Sequence, residues 1–507
     1  MGFITNDRCT ASLSTVLLED LIPVSDKCRF IVDIVSGLDL SSLYDSYSSQ
    51  GGDAYDPGIL LGTLFYAYSQ ATTSSREIEA LCRYDLRYIY VSANLKPDHC
   101  TISRFRRRHL DLIVDYFIRI VDLSLGLSVE LGSEFKEVSI DGSKFLAACS
   151  KKHSMKGDRL ASKIEKLRER ITEYLQRCES ADLSDEERQT LSSEVQGLKA
   201  GEALLLERQE ELEARKLTLK PEHRQNHQIN IQEPDARLMP KSDGPSYNAQ
   251  IAVDSKSGII LVNNVTDDPN DQNQFAVMHQ KSEQRIGTDR KRKYNLDSGY
   301  HSLAQLEYAQ QNNVDAVIAD PTPEHRASDS QATCLQTLLA AKRQLQRSDF
   351  YFNKDENYYQ CPAGERLEAV GKQKTGQKTS VIYETSACQD CVLLQFCLTK
   401  KQKKSERKVK RIYRNEKEEL AENMARRLKT DEAKARLITR MSTVEPVFGN
   451  LKQNLGFRRF RLKGLALVKG EFNLMCIAHN LNMLFNLLGY RLFFSFLTRI
   501  EALYIRL

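Results

Sequence analysis

FKEVSIDGSKFLAA, residues 135–148, is where the pattern of the chain changes. Upstream, apolar residues recur at helical spacing. Here the run reads as a short strand ending at Asp141-Gly142. An Asp-Gly pair alone is most often just a turn, so the neighbouring elements decide whether Asp141 means more.

Downstream, SYNAQIAVDSKSGIILVNNVT (246–266) has two apolar runs flanking Asp254-Ser-Lys-Ser-Gly258, a hairpin signal. A helix is expected from about 271 to 286. RKYNLDSGYHS (292–302) reads as a strand ending at Asp297 with a glycine turn. A helix at about 302–312 then leads to the strand VDAVIAD, 314–320. The order is strand, two-stranded hairpin, helix, strand, helix, strand, then a distant helix. That is the order of a ribonuclease H-like α/β core, with three antiparallel strands followed by two paired in parallel. In such a core Asp141 and Asp297 stand side by side, and a later helix supplies a third carboxylate.

MSTVEPVFGNLKQNLGFRRF (441–460) provides that helix. Val444, Val447, Phe448 and Leu451 form its apolar stripe. Glu445 sits among them, and Lys452 follows seven residues on, along nearly the same face. A Glu before a proline can equally start a helix, where negative charge is favoured. Taken with Asp141 and Asp297, Glu445 completes a set of oxygen ligands for Mg2+ or Mn2+, hard cations that assist phosphoryl transfer. Lys452, Arg458, Arg459, Arg461 and Lys463 are then placed to contact nearby phosphates.

Residues 1–130 read as an all-α N-terminal domain. In DPGILLGTLFYAYSQATTSSREIEALCRY (56–84), Ser74 and Ser75 are candidate caps for a second helix, with Glu77 in its first turn. PDHCTISRFRRRHLDLIVDYF (97–117) begins another, with Thr101 as the expected cap and Arg104, Arg106 and Arg107 in its early turns. A compact helical unit with a basic helix fits a DNA reader, and a solvated arginine face fits equally well. Residues 135–320 hold the first part of the core. It is interrupted at 158–216 by a charged helical hairpin with a Ser184/Glu187 capping box. Leu191, Leu198, Leu205 and Leu212 recur there every seven residues. An oligomerisation arm and an intramolecular hairpin both account for that repeat. Residues 321–430 form a polar, basic, cysteine-bearing insertion, and 433–507 the last catalytic helix and a helical tail.

The 507 residues, 41% hydrophobic and 28% charged, describe a globular chain with a net charge of only +5. The N-terminus lacks the basic and apolar pattern of a secretory signal. LNMLFNLLGYRLFFSFL (481–497) is broken by asparagines and Arg491, so a buried helix is expected and no membrane partner. Most of the 12 cysteines are scattered, as in a reducing compartment. Cys361, Cys388, Cys391 and Cys397 are gathered and form a candidate structural Zn2+ site. A set of reduced thiols in a small subdomain is the alternative. In KKQKKSERKVKRIYR (400–414), nine of fifteen residues are Lys or Arg, a candidate phosphate contact.

These stretches together resemble the DDE transposases of bacterial insertion sequences. The resemblance rests on TVEPVFGNLKQNLGFRRFRLKGL, EFNLMCIAHNLNML (471–484), LDSGYHS, IDGSKFLA, SYNAQIAVD and the two N-terminal segments, and runs from about 50 to 485. It implies Asp141, Asp297 and Glu445 as catalytic residues and Lys452 as a contact to DNA ends. It further implies double-stranded DNA (terminal inverted repeats and target) as partner, a homodimer, and a cytoplasmic, nucleoid-associated location in bacteria. Related transposases carry Tyr-x-x-Arg before the Glu. Here the place reads LITR, with Leu437 for the Tyr and Arg440 kept as a candidate DNA contact. A transposase-derived regulator without catalysis, and a nuclease that cuts without joining, are the alternatives.

Overall fold

The computed structural model describes residues 18–47, 54–178, 184–219, 224–286, 291–322, 326, 328, 331–375, 378–389, 391–398 and 408–504. Its N-terminal part is helical: α1 Lys27–Ser36, α2 Pro57–Ser69, α3 Ser75–Tyr84, α4 Leu86–Val91, α5 His99–Arg108 and α6 Leu110–Gly126. Pro57 opens α2, and Asp56 accepts the Ile59 N–H at 3.0 Å, a proline-and-cap start that occupies a first-turn donor with no partner inside the helix. The cap of α5 is Asp98, which accepts the Thr101 N–H at 2.6 Å. Thr101, the expected cap, lies inside the helix, because the extended backbone at Asp98 already aims a carboxylate at that donor.

The central sheet contains β1 Glu137–Leu146, β2 Pro245–Asp254, β3 Ile260–Thr266, β4 Lys293–Leu296 and β5 Asp315–Ile318, ordered β3-β2-β1-β4-β5. β1 pairs antiparallel with β2, and β2 with β3. β4 runs parallel to β1, and β5 parallel to β4. The chain is thus mixed α/β with a helical N-terminal region. β1 does not stop at Asp141-Gly142 as expected. It continues to Leu146, because β2 is long enough to pair with it throughout, from Val138↔Asp254 to Leu146↔Ser246.

The helical hairpin is α7 Gly157–Cys178 and α8 Asp185–Thr218, with the Ser184/Glu187 capping box in place. The two helices pack on each other. Leu191, Leu205 and Leu212 are buried and Leu198 half-buried, so the apolar repeat is used within one chain. After β3 come α9 Gln274–Ile286 and, between β4 and β5, α10 Leu303–Gln311.

The cysteine-bearing segment builds a second sheet that its polar composition had hidden. Its strands, β6 Tyr351–Asn353, β7 Tyr358–Gln360, β8 Arg366–Thr375, β9 Lys378–Glu384 and β10 Ile412–Asn415, pair in sequential order. Tyr359, Leu367, Tyr383 and Ile412 belong to its separate core, and the other face meets solvent. Arg326 and Arg414 tie this unit to Glu418 and Glu422 at 2.8 and 2.5 Å. Both acids lie on α11 Glu418–Leu428, which leads into α12 Asp431–Gly449. Residues 400–407 of the basic run lie outside the described residues.

The last helix, α13 Leu465–Tyr504, kinks at Gly489, whose φ is +62°. It packs on α2, α6 and β3. One apolar core therefore spans N-terminal helices, sheet and α13, with Phe65, Ile120, Ile140, Phe472 and Leu481 all fully buried. No helix among the described residues is long and apolar enough to cross a membrane.

Candidate active site

The register of β1 on β4 ends at Ile140↔Leu296. The next residues on the two strands are Asp141 and Asp297. Neighbouring strands lie about 4.8 Å apart, so parallel pairing alone puts these two carboxylates beside each other. Asp141 accepts the Gly142 N–H at 2.8 Å. Asp297 caps the 3-10 turn Ser298–Tyr300 and accepts the Gly299 N–H at 2.9 Å. Burial pushes the Asp141 carboxyl up to about 6. Arg440 pulls against this, and Asp297 adds to it. Asp297 is raised in the same way, first by burial and against the pull of Arg440.

Helix α12 lies against β1, β4 and β5. Arg436 donates to Asn295 Oδ1 and Asp315 Oδ1, both at 2.8 Å, and Thr443 donates to the Ser255 carbonyl at 3.2 Å. Arg440 Nη1 donates to Asp141 Oδ2 at 3.0 Å. Val444, Val447, Phe448 and Leu451 are buried, as the apolar stripe required. Glu445 does not start a helix. It stands late in a 19-residue one, next to Pro446, and α12 runs on into the π-turn Asn450–Asn454. Its carboxylate is exposed, with no hydrogen-bond or ion-pair partner among the described residues. Among those residues, no three His, Cys, Asp or Glu side chains converge closely enough to hold a metal ion. The fold thus brings Asp141 and Asp297 together, and Glu445 faces solvent.

Sequence reading missed Asp271, in the turn between β3 and α9. Asn248 and Gln250 donate to its Oδ1 at 2.7 and 2.6 Å, and Lys144 Nζ lies 3.8 Å away. Gln250 in turn accepts the hydroxyl hydrogen of Tyr300. The Tyr-Asn-x-Gln and Asp-x-Gly-Tyr stretches are therefore partners across the sheet. Asp271 sits in an acidic turn, DDPND, that by sequence is indistinguishable from a solvated loop.

The basic stretch extends β1. Leu146 donates to the Arg458 carbonyl and accepts from Phe460 N, a short parallel bridge. Lys452 is turned inward, donating to Ser143 Oγ at 2.6 Å and the Lys144 carbonyl at 2.8 Å. Arg459 holds the Ala147 and Cys149 carbonyls, and Arg461 reaches Thr73 Oγ1 at 2.8 Å. Buried Glu471 accepts the Arg461 and Leu462 N–H groups. Arg458, Arg459 and Arg461 stay exposed on a groove of about 740 Å³ that also meets Thr73 and Lys151, and Lys463 is exposed just beyond.

On α5, Arg104 and Arg107 are exposed. Arg106 is a correction: it is buried, donating to Tyr68 OH, the Thr73 carbonyl and Ser75 Oγ at 3.1, 2.8 and 3.3 Å. A guanidinium so occupied braces the helices and offers no face to DNA. The Ala-His-Asn-Leu stretch is likewise structural. His479 bonds the Gly258 carbonyl at 3.0 Å, and Asn480 holds both backbone groups of Ile260. Cys361, Cys388, Cys391 and Cys397 line one cavity of about 20 Å³. The four are free thiols. Burial pushes Cys361 and Cys388 up, and Cys397 to about 12.

Comparison with known families gives two matches. Residues 360–485 match the family model described as "Transposase DDE domain". Residues 16–108 match "Transposase domain (DUF772)". The first match holds Glu445 and the four gathered cysteines, while Asp141 and Asp297 lie outside both. No curated protein matches the chain. The two matched segments flank a sheet that sets two aspartates side by side, and both matches support an insertion-sequence DDE transposase.

Proposed function

We propose that this transposase binds the terminal inverted repeats of its element and cuts and joins DNA at a ribonuclease H-like centre of Asp141, Asp297 and Glu445. The observation that carries the reading is the β1/β4 register, which makes Asp141 and Asp297 neighbours on a rigid sheet. The strand order β3-β2-β1-β4-β5, with its parallel half, supports the fold assignment. Carboxylate oxygens are the donors a hard cation takes. Asp141 and Asp297 would hold it, with Glu445 joining from α12. When bound, Mg2+ or Mn2+ supplies Lewis-acid activation of the attacking hydroxyl and the leaving oxygen.

Water first cleaves a phosphodiester at the transposon end, leaving a 3′-hydroxyl and a 5′-phosphate. That 3′-hydroxyl then attacks a target phosphodiester, joining the ends and releasing a target 3′-hydroxyl. Arg458, Arg459, Arg461 and Lys463 steer phosphates along the groove, Arg104 and Arg107 serve α5, and Lys452 fixes the β1 end beside them. Two ends must be paired, which calls for a homodimer. We read the four cysteines lining one cavity as a structural zinc site that would have to draw together on binding, with metal replacing the thiol protons. Elemental analysis of wild type against Cys391→Ser decides that point.

The decisive experiment is cleavage of DNA carrying the element's own ends, with Mg2+, with EDTA, and with Asp141→Asn, Asp297→Asn or Glu445→Gln. The reading expects metal-dependent nicking at the ends that each substitution abolishes while end binding survives. Tight end binding without cleavage under any metal would favour a regulatory protein. Cleavage without joining would favour a nuclease.

A further inference from the structure

Asp141 is followed by Gly142, and Asp297 is followed two residues later by Gly299. Both glycines face the same side chain. A Cβ on Gly142 would fall 2.6 Å from Asp271 Oδ1 and 2.1 Å from Gln250 Nε2. On Gly299 it would fall 3.3 Å from Asp271 Oδ2 and 3.1 Å from Asp297 Oδ1. The Asp271 carboxylate thus occupies the space these glycines leave open, between the backbone segments that carry Asp141 and Asp297.

Its setting is built. Asn248 and Gln250, both fully buried, aim their amide N–H groups at the same oxygen, Oδ1. Gln250 is itself fixed by Tyr300. The other oxygen, Oδ2, is turned toward Gly299. Among the described residues, the cations paired with the three aspartates are Arg440, on Asp141, and Lys144, 3.8 Å from Asp271. Three carboxylates against two cations leave a surplus of negative charge in a partly desolvated place, which a divalent cation would relieve.

We propose that Asp271 is a fourth acidic member of this centre. It is a positioning residue whose charge, locked by Asn248 and Gln250, strengthens divalent-cation binding by Asp141 and Asp297. The inference rests on the metal-dependent reading above. Hydrogen bonding alone does not require an acid here, because the carbonyl oxygen of an asparagine could accept the same two amide donors.

The test is Mn2+ binding to the full chain without DNA, followed by electron paramagnetic resonance of free Mn2+, with melting temperature measured in parallel. Asp271→Asn keeps the hydrogen-bond acceptor and removes the charge. It should weaken Mn2+ binding by about ten-fold or more with little change in melting. Asp271→Glu, which keeps the charge, should retain binding. Unchanged Mn2+ affinity in Asp271→Asn, while Asp141→Asn loses binding, overturns this inference alone. If Asp271→Asn melts early, Asp271→Glu decides: retained binding supports the charge, and equal loss with early melting makes Asp271 a structural brace. Wild-type protein that binds no Mn2+, or binds it regardless of Asp141→Asn, overturns the carboxylate centre itself.

Discussion

Arg440 Nη1 stands 3.0 Å from Asp141 Oδ2, so the helix that carries Glu445 is ion-paired to the strand that carries the first aspartate. Both side chains are largely buried, which makes this pair sensitive to the loss of either partner.

Arg440→Gln should leave Asp141 Oδ2 buried without its cation, costing on the order of 1–3 kcal/mol at pH 8. The sign with pH follows from Asp141, whose folded carboxyl is pushed up to about 6 from an ordinary 3.8. Native protein binds the extra proton between these values, so its stability falls as pH rises through that window. Without Arg440 the folded carboxyl rises further, and at pH 5 Asp141 is neutral and needs no partner. Urea unfolding in EDTA at pH 5 and pH 8 should therefore show a much smaller deficit at the lower pH. An equal deficit at both would rule out the ion pair as its cause.

Glu445→Gln should separate activity from stability. The side chain is exposed and without a partner among the described residues, so its melting should match wild type to within about 0.5 kcal/mol. Nicking at the transposon ends should nevertheless disappear. A variant that melts early would mean that Glu445 has a packing role the structure does not contain.

The two glycines should differ in severity. Gly142→Ala forces a methyl to within 2.1 Å of Gln250 Nε2 and 2.6 Å of Asp271 Oδ1, at the centre of the sheet. A loss of about 2–3 kcal/mol and of nicking is expected. Gly299→Ala meets carboxylate oxygens at 3.1 and 3.3 Å in a surface turn, and should cost about 1 kcal/mol or less. Thermal melts of the two variants give the comparison, and a reversed order would refute the geometry.

His479 is fully buried and held down to about 4, by burial above all. Its Nε2–H donates to the Gly258 carbonyl, leaving Nδ1 to accept from Asn450 at 3.0 Å. The unfolded chain takes up this proton near 6.5, the folded chain only near 4. Stability from this group is thus full above about 6.5 and falls as pH drops toward 4. His479→Gln should be less stable at pH 7.5 by about 1–2 kcal/mol yet flatter in pH between 6.5 and 4. A variant with the wild-type acid slope would assign that slope to other groups.

What the sequence determined by itself was local or periodic. The hairpin around Asp254–Gly258, the Asp297 turn, the apolar stripe of α12 and the Ser184/Glu187 box each depend on residues within a few positions of one another. Such patterns are written along the chain because backbone geometry repeats every two or 3.6 residues. The order of strands also followed, once each was recognised.

Only the tertiary structure decided which side chains meet. Asp271 comes up against Gly142 and Gly299 because β2, the strand next to β1, lends Asn248 and Gln250 to hold it. Arg106, in a run of exposed arginines, turns inward because Tyr68 and Thr73 happen to lie beneath it. The second sheet hid in a polar segment because only one of its faces is packed, and Lys452 bonds β1, 308 residues away, rather than facing solvent. These outcomes depend on desolvation and on donor–acceptor distances across the fold, which no local spacing encodes.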